Sequence, residues 1–206
     1  MYIIVIVIVA AYLFGSIPTA VWLGRAFKGI DLREHGSGNA GATNAFRVLG
    51  KTIGSVVLLL DMLKGYAAVS LAHVQSLWIL DSEEGMILKI VLGLVAVAGH
   101  IFPVFAGFRG GKGVATMAGV GLALHPLAVL AAIGIYVLVF LLLKISALGS
   151  LSAVTTYPLW VIWVFPTPWL SMKLFSLLVF ILVLITHRSN IRRLLKGEEK
   201  ALRPPS

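Results

Sequence analysis

Long apolar runs separated by short polar stretches are the main pattern of the chain. An α-helix needs about 20 apolar residues to cross a bilayer, and several runs reach that length. Residues 113–143 are too many for one ordinary span, and we divide them at His125–Pro126 because a residue before proline disfavours the helical conformation. The pattern predicts an all-α, polytopic membrane protein with one domain over residues 1–206 and seven spans, at residues 2–24, 52–73, 85–105, 113–124, 126–143, 146–165 and 169–186.

Composition also favours a membrane protein. Of the 206 residues, 59% are apolar and 12% are charged, with a mean hydropathy of +1.00, whereas soluble domains carry about 25% charged residues. The net charge of +9 does not indicate a nucleic-acid partner, because the basic residues stand at the ends of the apolar runs. The first run is too long for a signal peptide, so we expect a retained helix. The lack of cysteine excludes disulfides and thiolate metal sites.

The basic residues predict the orientation of the spans. With seven spans, the N-terminus is outside, the C-terminus is cytoplasmic, and most lysines and arginines share the cytoplasmic side. The acidic residues Asp81, Glu83 and Glu84 then lie on the opposite side. Six spans would place the basic tail with these acids, so the charge pattern favours seven. We expect the polar tail after Arg193 to fray.

The first polar motif is EHGSGNAGATNAFR, residues 34–47. Its glycines let successive backbone N–H groups converge on an anion, and a helix beginning near Ala42–Thr43 would add positive charge at its N-terminus. The alternative is a flexible linker, although Gly/Ser linkers seldom contain this much Asn, Thr and Arg. The candidate anion-binding residues are Ser37, Gly38, Asn39, Ala40, Gly41, Ala42, Thr43, Asn44 and Arg47.

The second polar motif is GHIFPVFAGFRGGKGVATM, residues 99–117. Lys112 is a point charge suited to phosphate, and Gly110, Gly111 and Gly113 allow close approach of the backbone. The motif is not a nucleotide P-loop, because glycine follows the lysine where Ser or Thr would hold Mg²⁺. The alternative is a turn at the membrane interface whose basic residues only set orientation. His100, one turn inside the preceding helix, is as consistent with a structural histidine as with a ligand-binding one.

The third motif is THRSNIRR, residues 186–193, at the end of the last span. His187 and Asn190 are three residues apart and share a helix face. They are the third group of candidate site residues.

Polar residues inside the spans have two interpretations each. Asp61 and Lys64 are spaced for an internal ion pair, either a structural clamp or a functional pair. Ser146 and Ser150 either line a pocket or cap and pack their helix. No spacing of His and acidic residues indicates a metal site, and we expect neither a metal nor a cofactor.

Two anion-binding motifs, a histidine and an amide on one side of a bilayer indicate a transferase acting between a water-soluble phosphate compound and a lipid. One alternative is a transporter or flippase for a phosphorylated molecule, which would need polar residues across the bilayer and commonly shows inverted repeats. Another is a membrane anchor without chemistry, which leaves the glycine motifs unexplained.

The motifs GSGNAGATN, GHIFPVFAGFRGGKGVAT and HRSNIRR together resemble the bacterial acyl-phosphate:glycerol-3-phosphate acyltransferases, over nearly the whole chain. The resemblance implies transfer of a fatty acyl group from acyl phosphate to the 1-hydroxyl of glycerol 3-phosphate. The products are lysophosphatidic acid and phosphate, in the first step of phospholipid synthesis. It also implies a monomer in the bacterial cytoplasmic (inner) membrane, with the active site facing the cytoplasm and no need for CoA or acyl carrier protein.

The implied roles are phosphate binding by residues 37–44 with help from Arg47, binding of a second phosphate by Lys112 and its glycines, and orientation of glycerol 3-phosphate by His187 and Asn190. Either His187 or the leaving phosphate takes the hydroxyl proton. Direct attack is favoured over an acyl-enzyme on Ser37, because no base stands at a suitable spacing. The H-x-x-x-x-D mechanism of another acyltransferase type is excluded, since no acidic residue stands five positions after a histidine.

Overall fold

The structure, a computed structural model, describes residues 2–74 and 81–202. This part of the chain is helical and contains no β-strand. Its α-helices are α1 (Tyr2–Ser16), α2 (Thr19–Lys28), α3 (Ala42–Val48), α4 (Lys51–Ser70), α5 (Glu83–Ile101), α6 (Val114–Leu124), α7 (Pro126–Leu143), α8 (Ser146–Leu159), α9 (Leu170–Thr186) and α10 (Arg188–Leu195).

The predicted class of an all-helical membrane protein is confirmed. Among the described residues, five helical segments are long and apolar enough to cross a membrane, and the bent pair α9–α10 is a sixth candidate. Large apolar side chains such as Leu63 and Leu142 are exposed on these helices, as expected of a surface that faces lipid. A helix lies at each of the seven predicted spans, but α6 has only 11 residues, so the count of seven stays a prediction, as does the orientation.

The first predicted span is interrupted in its second half. Helix α1 ends at Ser16 and α2 begins at Thr19, because Pro18 has no N–H to continue the helix. The Ile17 carbonyl at this break accepts hydrogen bonds from the Thr19 N–H at 3.0 Å and from Lys64 Nζ at 2.9 Å. The break therefore creates an acceptor inside the membrane-spanning part of the chain, and the structure satisfies it with a cation.

The described residues divide into an N-terminal unit, residues 2–124, and a C-terminal unit, residues 125–202. In the N-terminal unit, α1 packs on α5 and α4 packs on α6. A Cβ at Gly15 would overlap the Ala96 backbone, and one at Gly65 would overlap the Thr116 carbonyl. Small residues thus let the helices approach closely, which is how helices associate in lipid.

In the C-terminal unit, α7 packs on α8 and α8 packs on α9. Helix α7 has the predicted bounds and starts with Pro126, whose fixed φ and missing N–H suit the first helical position. Helix α8 contains Pro158 and continues as a π-turn, Trp160–Val164. A missing backbone donor is a known cause of such a local change in helical pitch.

Candidate active site

Asn44 holds the first glycine loop, residues 29–41, in shape. Its residue exposure is 1%. Its Oδ1 accepts from the Ser37 N–H at 2.9 Å, and its Nδ2 donates to the carbonyls of Leu32 and His35 at 3.1 and 2.9 Å. Because both ends of the amide bind the loop backbone, Asn44 holds the candidate anion-binding loop in its conformation.

The first loop has backbone positions that require glycine. Gly36 and Gly38 have φ values of 63° and 71°, in the left-handed region. A Cβ at Gly36 would also collide with the Asn44 amide oxygen. Helix α3 begins at Ala42, as expected, with Gly41 at its N-cap. The remaining predicted residues include exposed Ser37, Gly38 and Thr43, half-buried Asn39, Gly41, Ala42 and Arg47, and buried Ala40.

Arg33 joins the first loop to the chain that follows α5. Its Nε and Nη2 donate to the Asp31 carboxylate at 3.0 and 2.7 Å, and its Nη1 donates to the Ala106 carbonyl at 2.7 Å. The Arg33 hydrogen bond, with help from Arg25, holds the pKa of the Asp31 carboxyl well below its usual range. The same carboxylate raises the pKa of Arg33. Arg33 was not predicted as a site residue, because nothing in the spacing connects it with residue 106.

The second glycine loop, residues 102–113, folds back on the end of α5. The Gly110 and Gly111 N–H groups donate to the carbonyls of Ile101 and His100 at 3.1 and 3.2 Å. They satisfy carbonyls that a helix end otherwise leaves without intrahelical partners. A Cβ at Gly110 would collide with the His100 carbonyl, and one at Gly111 with His100 Nε2. These two glycines therefore serve close packing on α5, with their N–H groups directed at the helix end.

The two glycine loops meet beside Lys112. A Cβ built on Gly111 would lie 3.1 Å from the Ala40 carbonyl oxygen of the first loop. Lys112 follows directly and is half-buried, and Gly113, with a φ of 80°, precedes the first residue of α6. The structure thus brings together, in the N-terminal unit, two motifs that the sequence separates by about 70 residues.

A buried ion pair lies in the same unit. Asp61 is 0% exposed, and its Oδ1 lies 2.8 Å from Lys64 Nζ and accepts from Thr19 Oγ1 at 2.6 Å. The internal ion pair predicted from the spacing is therefore confirmed. Charged groups inside a membrane-spanning helix are costly unless they are paired in this way.

His100 connects this ion pair with the second loop. It is 6% exposed, and its Nδ1 lies 3.1 Å from Thr116 Oγ1 and 3.7 Å from Asp61 Oδ1. Its other edge faces Gly111 and a cavity of about 10 Å³ that Ala40 also lines, roughly the space of one water molecule. These contacts favour the structural interpretation of His100 over direct contact with substrate.

His187 stands in the C-terminal unit at the 65° bend between α9 and α10. It is 3% exposed, and its Nδ1 lies 3.0 Å from the Val183 carbonyl and 3.4 Å from Thr186 Oγ1. A carbonyl can only accept, so this geometry assigns the proton of the neutral ring to Nδ1. The Nε2 atom is then the acceptor nitrogen, as a general base or a hydrogen-bond acceptor requires.

Asn190 is held by a residue of the tail. Its Nδ2 donates to Glu199 Oε1 at 2.6 Å, and Arg193 Nε donates to Glu199 Oε2 at 2.5 Å. The Leu202 N–H donates to the Lys144 carbonyl at 2.8 Å. The prediction that the tail frays after Arg193 is therefore wrong for residues 194–202, while residues 203–206 lie outside the described part. Sequence reasoning missed Glu199 because one acid in a polar tail has no periodicity to indicate its partners.

Ser146 and Ser150 are both buried at the start of α8. The Ser146 hydroxyl lies 3.1 Å from the Tyr136 hydroxyl of α7. That contact is consistent with a packing role as well as with the predicted pocket. Within the described ranges, no three His, Asp or Glu side chains are grouped so that they could hold a metal ion.

Known proteins match this chain over nearly its full length, and those compared below share one activity. The model of a family described as glycerol-3-phosphate acyltransferase matches residues 5–197. Glycerol-3-phosphate acyltransferases of Chlorobaculum tepidum and Trichlorobacter lovleyi are 39% and 44% identical over 220 and 192 residues. The first alignment covers 95% of each chain, and the second covers 93% of this chain and 94% of the relative.

Two crystal structures have a similar fold. One is PlsY (YgiH), an integral membrane glycerol 3-phosphate acyltransferase, in its glycerol 3-phosphate form, with a TM-score of 0.83, 36% identity, and coverage of 97% of this chain and 96% of that one. The other is the lysophosphatidic acid form of PlsY, with the same TM-score and identity and coverage of 96% and 94%.

The chain has apolar helices and two glycine loops that meet, and membrane enzymes of one activity match nearly its whole length. Together these features define an integral membrane acyltransferase. The chain belongs to the glycerol-3-phosphate acyltransferase family. The family resemblance of the three sequence motifs is thereby confirmed.

Proposed function

We propose that this acyltransferase transfers a fatty acyl group from acyl phosphate to the 1-hydroxyl of glycerol 3-phosphate, giving lysophosphatidic acid and phosphate. The observation that carries the proposal is the meeting of two glycine loops beside Lys112 in the N-terminal unit. Both substrates carry a phosphate, so the enzyme must hold two anions that repel each other. Similarity to glycerol-3-phosphate acyltransferases supports the acceptor, and the motif resemblance supports acyl phosphate as the donor.

In this proposal, the N-terminal unit supplies most of the phosphate-binding groups. Ser37, Asn39 and Thr43 provide neutral donors, and Lys112 and Arg47 provide positive charge, with Arg47 able to form a bidentate contact. Asn44 and His100 act as positioning residues, because their side chains contact the loops themselves.

The residues of the C-terminal unit act on glycerol 3-phosphate. His187 and Asn190 orient this substrate, and the contact with Glu199 fixes the Asn190 amide. Ser146 and Ser150 are proposed pocket residues of the same unit. These roles rest on the family resemblance together with the burial of all four side chains.

The chemistry is a direct attack. The 1-hydroxyl oxygen of glycerol 3-phosphate forms a bond to the acyl carbonyl carbon, and the bond from that carbon to the phosphate oxygen breaks. The hydroxyl proton passes to His187 Nε2 or to the departing phosphate. Acyl phosphate is an activated mixed anhydride, so positioning and charge neutralisation supply most of the catalysis, and well-aligned reactants alone can lower a barrier by about 7–11 kcal/mol.

One domain with seven spans would lie in the bacterial inner membrane, with a cytoplasmic C-terminus and a cytoplasmic active site. The α6 segment would be the shortest span. The protein would act as a monomer in the lipid bilayer, without CoA, acyl carrier protein, nucleic acid, metal or cofactor.

The test is an assay of purified protein in lipid with acyl phosphate and glycerol 3-phosphate, with EDTA and without CoA. We expect lysophosphatidic acid and phosphate in equal amounts, and we expect Lys112→Ala to lower kcat/KM by about a hundredfold or more, because loss of a preorganised cation at developing charge costs at least that. Lys28→Ala, an exposed lysine of α2, is the matched control and should keep wild-type rates. Product formed only when acyl-CoA or acylated carrier protein is supplied would contradict the proposed donor.

A further inference from the structure

Another polar pocket lies in the N-terminal unit, and none of the residues proposed above to hold phosphate lines it. Its volume is about 390 Å³, within the range of small-molecule sites. Residues of α2, the start of the first loop and the turn after α5 line it, namely Trp22, Arg25, Arg33, Phe105, Ala106 and Arg109. Neither Lys112 nor residues 37–44 take part in its lining.

The pocket has more positive than negative charge. Arg25 and Arg33 share a single carboxylate, that of Asp31, at 2.8 and 2.7 Å. The Arg109 guanidinium forms no ion pair or hydrogen bond within the described part of the chain. Three guanidinium groups lie near two carboxylates, the paired Asp31 and the neighbouring Glu34, so positive charge remains in excess. An anion that enters this pocket would therefore find donors suited to bidentate binding.

The same pocket has an apolar wall. The rings of Trp22 and Phe105 pack against each other with centroids 6.3 Å apart, and these residues remain 49% and 51% exposed. They stand near the ends of the candidate spans Tyr2–Lys28 and Glu83–Ala106, where aromatic residues mark the interface between hydrocarbon and water. A ligand at this level can place a polar head against the arginines and a hydrocarbon chain toward the lipid.

We propose that this pocket binds an amphiphile made of a phosphate monoester or acyl phosphate head and a hydrocarbon tail. A phosphate monoester carries close to two negative charges at neutral pH and three acceptor oxygens, so it can engage both Arg25 and Arg109 more fully than a carboxylate would. Arg33 is a positioning residue of the pocket, because its guanidinium is already bound to Asp31 and to the Ala106 carbonyl. Arg25 and Arg109 make the contacts with the phosphate, and Trp22 and Phe105 contact the first part of the chain.

This site does not depend on the proposed function, although the acyl phosphate and lysophosphatidic acid of that reaction both have the required chemistry. A phosphate-headed lipid of the bilayer is the other source of such a ligand. Competition for the pocket between lysophosphatidic acid and a diacyl phosphatidic acid distinguishes the two sources. Displacement by the single-chain compound alone indicates the reaction's own compounds, and displacement by both indicates membrane lipid; either result supports the site.

The experiment uses full-length protein with Lys112→Ala, which weakens the second loop as a competing anion site, in a nonionic detergent. Bound dodecyl phosphate is counted by native mass spectrometry during a titration. We expect Arg25→Gln/Arg109→Gln to weaken binding by about tenfold or more for each guanidinium. Lys28→Gln, a matched loss of charge on α2 outside the pocket, should leave binding unchanged. Arg109→Gln alone removes none of the ion pairs found among the described residues and should already weaken binding about tenfold.

Three results would overturn the proposal. Equal binding of dodecyl phosphate by Arg109→Gln and Lys28→Gln would remove the site. Equal binding of dodecanol and dodecyl phosphate would remove the phosphate as the recognised group. Displacement of dodecyl phosphate by inorganic phosphate at equal concentration would leave a simple anion site and exclude the amphiphile.

Discussion

Several side chains around the candidate site act on the loops themselves. Asn44 makes three hydrogen bonds with the backbone of the first loop, and Arg33 joins that loop to the Ala106 carbonyl. Such contacts fix a binding loop before a substrate arrives, which lowers the entropy lost on binding. Substitutions of single residues should therefore affect both the support of the loops and the chemistry.

The Asp31 carboxylate should make stability depend on pH in the acid range. Its pKa is lowered in the folded protein, mainly by Arg33, from about 3.9 in an unfolded chain. The contribution is thus complete above about pH 4 and is lost as pH falls through the lower, folded-state pKa. We expect Asp31→Asn to lower the free energy of unfolding by about 1–3 kcal/mol at pH 7. The difference in unfolding temperature between the variant and the wild type should become smaller below pH 4. Glu34→Gln, an exposed neighbour, is the control, and a constant gap down to pH 3 would contradict the assignment.

Replacing His187 distinguishes the two possible proton acceptors. We expect His187→Gln to lower kcat/KM for glycerol 3-phosphate by about tenfold or more, in the range that general-base or substrate contacts contribute. A fall in kcat alone would identify His187 as the base, whereas a rise in KM alone would identify a binding group and favour the leaving phosphate as base. His73→Gln, an exposed histidine, should retain wild-type kinetics. Unchanged kinetics for His187→Gln would remove it from the site.

At the scale of helices, close packing depends on small residues at particular crossings. Gly15 of α1 and Ala96 of α5 are so close that a Cβ at Gly15 would overlap the Ala96 backbone. The hydropathy pattern predicts that both helices exist, but it does not predict which faces meet. That choice comes from the shape of the two helix surfaces.

Gly15→Ala should therefore separate α1 from α5 and destabilise the protein. We expect a loss of about 1–3 kcal/mol, typical of overpacking, seen as a lower unfolding temperature in detergent. The matched control is Gly134→Ala in α7, where an added Cβ would meet nothing within 4 Å. That substitution should be neutral or stabilising by about 0.5–1 kcal/mol, because alanine favours the helix. Equal effects of the two substitutions would contradict the packing argument.

At the scale of the whole molecule, the charge pattern predicts the membrane orientation of the helices. The chain contains no cysteine, so single cysteines can be introduced without a background. We expect a membrane-impermeant maleimide to label Asp81→Cys in intact cells and to label Lys200→Cys only after permeabilisation, since the positive-inside rule places the basic tail in the cytoplasm. Labelling of both positions from the same side would contradict an odd number of spans between them.

Much of this protein could be predicted from its sequence. The helical membrane class, the bounds of α7, the start of α3 and the ion pair of Asp61 with Lys64 all follow from local spacing. The break before Thr19 and the ordered tail up to residue 202 were not predicted. At the break, Lys64 donates to the Ile17 carbonyl from far along the chain. In the tail, Asn190 donates to the Glu199 carboxylate. Neither partner is apparent from the local sequence.

The sequence by itself determined the class of fold and the candidate loops, because crossing a bilayer requires long apolar helices and makes glycine, charge and amide clusters conspicuous between them. Only the tertiary structure decided that Gly110 and Gly111 pack on the end of α5, that His100 connects the second loop with the buried ion pair, and that Arg33 reaches the Ala106 carbonyl. These contacts join positions far apart in the chain, and no local pattern of hydrophobicity or charge encodes which distant backbone atom a side chain will reach.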